Sequence, residues 1–127
     1  MTYTIYDAAA DGDASSVKEL MSYDKSQANR VDTTGWTPLH YAAAGNHVEI
    51  AKFLIDNGAD INLKTTTDGK DALHWGAFHG HLPVVELLIS MGAKINEKDD
   101  DGYTALDIAR QTEKRNLIHF LEEHGGQ

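Results

Sequence analysis

Histidine is the residue type in this chain best suited to chemistry, because it ligates metal ions and transfers protons near neutral pH. The 127-residue sequence contains seven histidines and no cysteine. A zinc site needs three or four ligands that converge on one point. His79 and His81 are close in sequence, but they have no evident third partner. We expect His47, His119 and His124 to be solvated surface residues. We therefore predict no metal site, no cofactor and no thiolate chemistry.

The other chemical motifs in the sequence are incomplete. Residues 99–102, Asp-Asp-Asp-Gly, resemble the start of a calcium loop, but no acidic ligand follows at the closing position. Gly69 and Lys70 lack the earlier glycine of a phosphate-binding loop, and no serine lies in a nucleophile elbow. Since no nucleophile, base and orienting group can be combined, we expect no catalytic residues and a protein that is not an enzyme.

The composition narrows the range of partners. Eleven Lys and Arg face twenty Asp and Glu, so the net charge is -9. Such a surface repels nucleic acid and anionic membranes, and it favours a protein partner with a basic or mixed-charge surface. The first residues lack the basic start and apolar run of a signal peptide, and no apolar stretch approaches a membrane span. We expect a monomer in the cytoplasm or nucleus.

A recurring eight-residue pattern predicts the elements that position these side chains. Residues 35–42 reappear at 69–76 and again at 102–109, at offsets of 34 and 33. Residues 53–62 match residues 87–96 at the same offset of 34. Self-similarity at this period is typical of a stacked repeat protein. The one extra residue lies between the second half of one copy and the first half of the next, within residues 63–68, in a segment that we predict to be a turn.

Each copy predicts a pair of helices. Thr37 is suited to cap the first helix and Pro38 to begin it. Asn46 tolerates the left-handed conformation with which such a helix ends, and Gly58 ends the second helix in the same way. Leu54, and its counterpart Leu88, should be buried between neighbouring pairs. Neither helix is stable alone, so one pair must stack on the next to bury the apolar faces of both helices.

We predict one domain over residues 1–127 with four repeats, including both caps. Their approximate limits are residues 1–31, 32–64, 65–98 and 99–127. Turn tips are expected at residues 32–35, 65–69 and 99–102.

Residues 37–42 read Thr-Pro-Leu-His-Tyr-Ala, and this sequence resembles the Thr-Pro-Leu-His-x-Ala opening of the ankyrin repeat. Residues 71–76 and 104–109 are partial matches. The resemblance implies an all-α solenoid of helix-turn-helix pairs with hairpin-like turns. It also implies a structural role for His40 and His74, whose imidazoles would bond to turn backbone. Members of this family are mostly protein-binding adaptors, inhibitors and scaffolds, so we expect a protein–protein interaction module.

The resemblance further implies that partners contact the turn tips and the first-helix face that lines the concave groove. By alignment these positions are Thr33, Thr34, Trp36, Ala44, Gly45, Thr67, Asp68, Lys70, Phe78, His79, Asp100, Asp101, Tyr103, Gln111 and Thr112. Trp36, Phe78 and Tyr103 are the candidate anchors, because aromatic residues are enriched at binding hot spots. Trp36 and Tyr103 have an alternative role in bracing a neighbouring turn. Tyr41 and Trp75 lie where neighbouring repeats should pack.

A second function is open for Asn62. Leu54 followed by residues 60–62, Asp-Ile-Asn, resembles the target of asparaginyl hydroxylases that modify ankyrin turns. Lys94 disrupts the same pattern at Asn96. We also expect both asparagines to fix their own turns through side-chain bonds to backbone.

Overall fold

The computed structural model describes residues 2–127, and within that range it is entirely helical. Eight α-helices form four pairs: α1 (Ile5–Asp11) with α2 (Ala14–Tyr23), α3 (Pro38–Ala44) with α4 (Val48–Asp56), α5 (Ala72–Phe78) with α6 (Leu82–Ser90), and α7 (Ala105–Gln111) with α8 (Arg115–Glu123). A 3-10 helix, Lys25–Asn29, follows α2 and had no counterpart in the prediction. The predicted all-α fold of paired helices is confirmed.

Every first helix begins with a reciprocal capping box. The cap residues are Thr4, Thr37, Asp71 and Thr104, and each accepts a hydrogen bond from the backbone N–H three residues later. The side chain of that third residue in turn accepts from the cap backbone N–H. Asp107 stands where the motif has histidine, and its carboxylate closes the last capping box by accepting from the Thr104 N–H at 2.9 Å.

The two helices of each pair are separated by a residue in the left-handed region. Asn46 has φ 60° there, as predicted, and Gly80 has φ 73°. Glu113 takes the same conformation in the last pair with φ 56°. The sharp reversal folds each second helix back against its first helix.

Small residues let the first helices approach one another closely. Ala9, Ala43, Ala77 and Ala109 are completely buried where successive first helices pack. The second helices form an outer row, and Leu54 and Leu88 are completely buried between the two rows, as predicted. Because the first helices pack more closely than the second helices, the stack curves with the first helices on its inside. We call that inner side, together with the turn tips, the concave face.

Gly76 lies inside α5 where the motif has alanine. A Cβ atom built on Gly76 would lie 3.1 Å from Val85 Cγ2 and 3.2 Å from Val84 Cγ1. The two valines of α6 therefore leave little room for an alanine methyl. Their close packing against Gly76 compensates for the destabilising effect of glycine within a helix. No helix within residues 2–127 is long and apolar enough to cross a bilayer.

Candidate functional site

The three predicted turns share one backbone design. The N–H of Asp32 donates to the Trp36 carbonyl at 2.9 Å, and the N–H of Asp99 donates to the Tyr103 carbonyl at 2.9 Å. In the middle turn Thr65 donates to the Lys70 carbonyl at 2.8 Å, and that loop is one residue longer. The extra residue of the sequence repeat therefore lies in a turn, as predicted.

Neighbouring turns are joined edge to edge. The Thr66 N–H donates to the Gly35 carbonyl at 3.3 Å, and the Asp100 N–H donates to the Asp68 carbonyl at 3.1 Å. Gly69 has φ 68°, and a Cβ on it would lie 2.2 Å from Asp100 Oδ1. Glycine permits this close approach because it has no Cβ. The hydrogen bonds between neighbouring turns join the tips into one connected row.

An aromatic row runs along the concave face beneath the turns. The Trp36 ring lies between Tyr41 and Trp75, with centroid distances of 5.0 and 4.4 Å. The row extends to Tyr6 through Tyr41 at 6.1 Å, and to Phe78 through Trp75 at 6.0 Å. Tyr41 and Trp75 therefore pack between repeats, as predicted. Trp36 has the bracing role that the sequence left as an alternative.

Two large apolar side chains on the concave face are left exposed. Phe78, at the end of α5, is 45% exposed and Tyr103, in the last turn, is 40% exposed. Exposed aromatic rings next to a rigid packed row are suited to bury area against a partner at little entropic cost. The roles of Phe78 and Tyr103 as contact residues stay predictions.

Lys70 belongs to an internal ion pair. Its ammonium lies 3.0 Å from Oδ2 of the fully buried Asp99 carboxylate and 5.8 Å from the Trp75 ring centroid. Burial alone would raise the pKa of Asp99, but hydrogen bonds from the Tyr103 backbone and from Lys70 hold it below its usual value. The side chain of Lys70 is only 14% exposed, which leaves it little surface for a partner.

The remaining predicted contact residues differ in the exposure of their side chains and in the hydrogen bonds that hold them. Exposed positions are Thr33, Thr34, Gly45, Thr67, His79, Asp100, Asp101 and Gln111, while Ala44, Asp68 and Thr112 are half-buried. Thr34 is held by Asp32, Asp68 by Thr65 and Thr112 by the Ile108 carbonyl. In residues 2–127 neither Asp100 nor Asp101 has a cationic side chain within ion-pair distance. These two carboxylates dominate the negative charge of the exposed tip.

The motif histidines, His40 in α3 and His74 in α5, join their helices to the backbone at the following turn, as the family resemblance implied. His40 Nδ1 accepts from the Thr37 N–H at 2.9 Å, and its Nε2 lies 2.8 Å from the Leu63 carbonyl. His74 Nε2 lies 2.9 Å from the Glu97 carbonyl. Among residues 2–127 no cluster of three or more potential ligands could hold a metal ion.

The pKa values of the two imidazoles are shifted in opposite directions because their caps differ. Burial lowers the pKa of both; for His40, which faces the Thr37 hydroxyl, the pKa stays below 6.5. His74 Nδ1 instead lies 2.7 Å from Oδ1 of the Asp71 carboxylate. The contact with Asp71 and its negative charge outweigh burial and raise the pKa of His74. When His74 is protonated, Nδ1 donates to Asp71 Oδ1 and no longer accepts from the Asp71 N–H.

Our expectation that Asn62 and Asn96 fix their own turns is wrong in detail. The Oδ1 atom of Asn62 accepts from the Lys94 N–H at 3.0 Å, across to the next repeat. Asn96 likewise bonds to Gly125 and Gln127. Asn29, which was not singled out from the sequence, makes the same kind of link: it bonds to the Gly58 carbonyl and the Asp60 N–H at 2.8 and 2.6 Å. Its spacing from Asn62 matches the repeat and could have revealed it.

His47 is also misassigned by the sequence, which suggested a solvated surface residue. Its Nε2 lies 3.1 Å from the Ala10 carbonyl at the end of α1. His81 makes the equivalent contact to the Ala44 carbonyl at 3.0 Å. Both side chains therefore satisfy a helix-end carbonyl of the preceding repeat.

Comparison with known proteins agrees with this geometry. A family model described as ankyrin repeats (3 copies) matches residues 5–99 and 64–127. The chain is 41% identical over 59 residues to the palmitoyltransferase akr1 of Schizosaccharomyces pombe, covering 46% of this chain and 9% of that protein. It is 40% identical over 53 residues to the human NAD-capped RNA hydrolase NUDT12, covering 42% and 12%. It is 46% identical over 59 residues to the E3 ubiquitin-protein ligase XBAT32 of Arabidopsis thaliana, covering 45% and 11%.

These relatives are much longer than the chain, which spans about a tenth of their length. They carry unrelated activities, yet each contains a segment similar to this one. The similarity is therefore to a shared repeat segment.

The cap chemistry predicts opposite pH responses for the two motif histidines. NMR titration should give His74 a pKa above 6.5 and His40 a pKa below it. Because the folded pKa of His74 is raised, its contribution to stability is complete below 6.5 and is lost as the pH rises through the folded pKa. The folded pKa of His40 is lowered. Its contribution to stability is therefore complete above 6.5 and is lost as the pH falls through the folded pKa.

Exchanging the caps provides the matched control. Asp71→Thr should lower the pKa of His74, and Thr37→Asp should raise the pKa of His40. A wild-type His74 that titrates below His40, or caps whose exchange leaves both values unchanged, would contradict this assignment.

Proposed function

The chain belongs to the ankyrin-repeat family, whose repeats are non-catalytic interaction modules, and on that premise we propose that it binds another protein through its concave face and turn tips. In this role it acts as an adaptor, or as an inhibitor that masks a surface of its partner. The observation that carries the proposal is the exposure of Phe78, at the end of the packed aromatic row, and of Tyr103 in the last turn.

The rigidity of the concave face supports the same function. The contact between Trp36 and Trp75 and the turn-to-turn hydrogen bonds fix this face through the protein's own residues. Binding to such a preformed surface loses little conformational entropy, so more of the contact energy is retained as affinity.

The charge of the turn tips indicates the kind of partner. Asp100 and Asp101 are exposed at the last turn, and the whole chain carries a net charge of -9. A basic segment of a partner would be steered toward this tip, with an effect mainly on the association rate. We therefore propose a partner whose surface includes a basic or mixed-charge segment.

Truncation of Phe78 tests the proposed face. A partner is first isolated by affinity capture and purified, and its dissociation constant is measured by calorimetry. Phe78→Ala should weaken binding by about 2 kcal/mol, or roughly thirtyfold, which is typical of an aromatic hot spot. Trp36 is a poorer probe, because its loss would also disturb Tyr41 and Trp75.

Phe120→Ala is the matched control, since Phe120 lies on α8 in the outer row and stacks on His124 at 4.0 Å. This variant should bind within about threefold of wild type, with helicity of both variants checked by circular dichroism. Loss of binding in Phe120→Ala alone would exclude the concave face.

We also propose, as an alternative function, that Asn62 is the substrate of an asparaginyl hydroxylase. Within residues 2–127 the Asn62 side chain makes one hydrogen bond, to the Lys94 backbone, whereas Asn96 makes two. Release of Asn62 into an enzyme therefore breaks fewer bonds. Asp60 is exposed two residues before Asn62, while the equivalent residue before Asn96 is Lys94.

Mass spectrometry after incubation with an ankyrin-targeting hydroxylase tests this alternative. One added oxygen should be found on Asn62 in preference to Asn96, and it should be absent in Asn62→Gln. Preferential labelling of Asn96 would refute the preference for Asn62.

A further inference from the structure

A group of two imidazoles and two cationic side chains lies at the opposite end of the first helices from the acidic turn tips. His79 and His81 flank Gly80, with parallel rings 5.9 Å apart. The stem of Lys114 lies against Gly80, so that a Cβ built there would be 2.9 Å from Lys114 Cδ. Arg115 is the next residue and begins α8. We call these four side chains the basic cluster.

The charges of Lys114 and Arg115 are not neutralised within the protein. Both residues are exposed, and across residues 2–127 neither has a carboxylate within ion-pair distance. Glu113 is adjacent in sequence but pairs with neither of them. By contrast, the nearby Arg110 is paired with Glu122 at 2.7 Å. In a chain with a net charge of -9, two adjacent unpaired cations are a distinct local feature.

The basic cluster borders an open groove of about 320 Å³. Its lining residues are Gly80, Leu82, Glu113, Lys114, Arg115, Asn116 and Leu117. Lys114 caps α8 without a side-chain hydrogen bond, so the first backbone N–H groups of that helix have no side-chain acceptor. These groups add positive potential to that of the two cations.

Aromatic contacts lead from the concave face to the basic cluster, whose Lys114 and Arg115 line the groove. The Phe78 ring lies 5.0 Å from the His79 ring, and His79 stacks on His81 in the basic cluster. The acidic turn tips lie at the other end of α5. Since α5 has seven residues, the two charged edges are separated by about 10 Å along the helix axis.

We propose that the groove beside Lys114 and Arg115 binds a carboxylate-rich segment of the protein partner. This inference rests on the proposed function and adds an orientation to it. The partner lies across the aromatic row with its basic part over Asp100 and Asp101, and its acidic part over the basic cluster. A partner bound in the reverse direction would place like charges together at both edges, which disfavours that orientation.

The titration of His79 is consistent with a positive potential in this place. Burial lowers the pKa of His79 first, and the charges of His81 and Lys114 lower it further. A carboxylate in the groove would oppose the effect of those charges. The pKa of His79 is therefore a local reporter of occupancy.

A glutamate hexapeptide, with blocked ends, tests the groove without any knowledge of the partner. It is titrated into the isotope-labelled protein at low ionic strength, and backbone amide shifts are followed by NMR. The expected result is saturable shifts at Gly80, Lys114, Arg115 and Asn116, with a rise in the pKa of His79. A glutamine hexapeptide of the same length should produce neither effect.

Two double variants separate this groove from general charge effects. Lys114→Gln with Arg115→Gln should weaken hexapeptide binding by about tenfold, the effect of losing two favourable surface charges. Lys25→Gln with Lys94→Gln removes the same charge at exposed positions outside the groove, and it should leave binding within about twofold. Circular dichroism establishes that both variants keep their helices.

Three results would overturn the proposal. The first is the absence of shifts, or shifts centred outside the groove. The second is an equal loss of binding in the Lys25 and Lys94 variant. The third is saturation by inorganic phosphate at the same total charge, which would identify a simple anion site. Each of these leaves the result with Phe78 and the purified partner unaffected, so failure here is distinguishable from failure of the proposed function.

Discussion

The structure depends on hydrogen bonds that each repeat completes only with its neighbour. Buried His40 bonds to its own helix cap through one ring nitrogen and to the Leu63 carbonyl through the other. Asn29 and His47 make further links of this kind, to Gly58 and to Ala10. A buried polar group without its partner is costly, so a single helix pair is incomplete, and stacking satisfies its polar groups as well as its apolar faces.

This constraint determines which side chains are left for recognition. Residues that join one repeat to the next are held by backbone groups, and Trp36 and Trp75 are held by each other. Lys70, although near the surface, is committed to Asp99. Phe78 and Tyr103 are the large apolar residues of the concave face that remain exposed. The stack thus separates the residues that build the surface from those that a partner can reach.

The helix pairs and turns could be predicted from the sequence because their signals are local. A cap such as Thr37 or a left-handed residue such as Asn46 bonds within a few positions of itself, and the repeat spacing multiplies the signal. Links across about thirty residues were harder to predict, because they depend on how closely two repeats approach. For that reason the sequence placed the bonds of Asn62 within its own turn and left His47 in solvent. The sequence offered the bracing role of Trp36 only as an alternative, because an aromatic residue type does not show how much of its ring a neighbouring repeat covers.

The central claim is that a protein partner lies on the concave face, and site-specific photocrosslinking tests it most directly. Benzoylphenylalanine is placed at position 78 in one sample and at position 120 in another, and each is irradiated with the purified partner. We expect a covalent adduct from position 78 and none from position 120, because only the former side chain faces the first-helix side. An adduct formed from position 120 alone would place the partner on the outer helices and contradict the account.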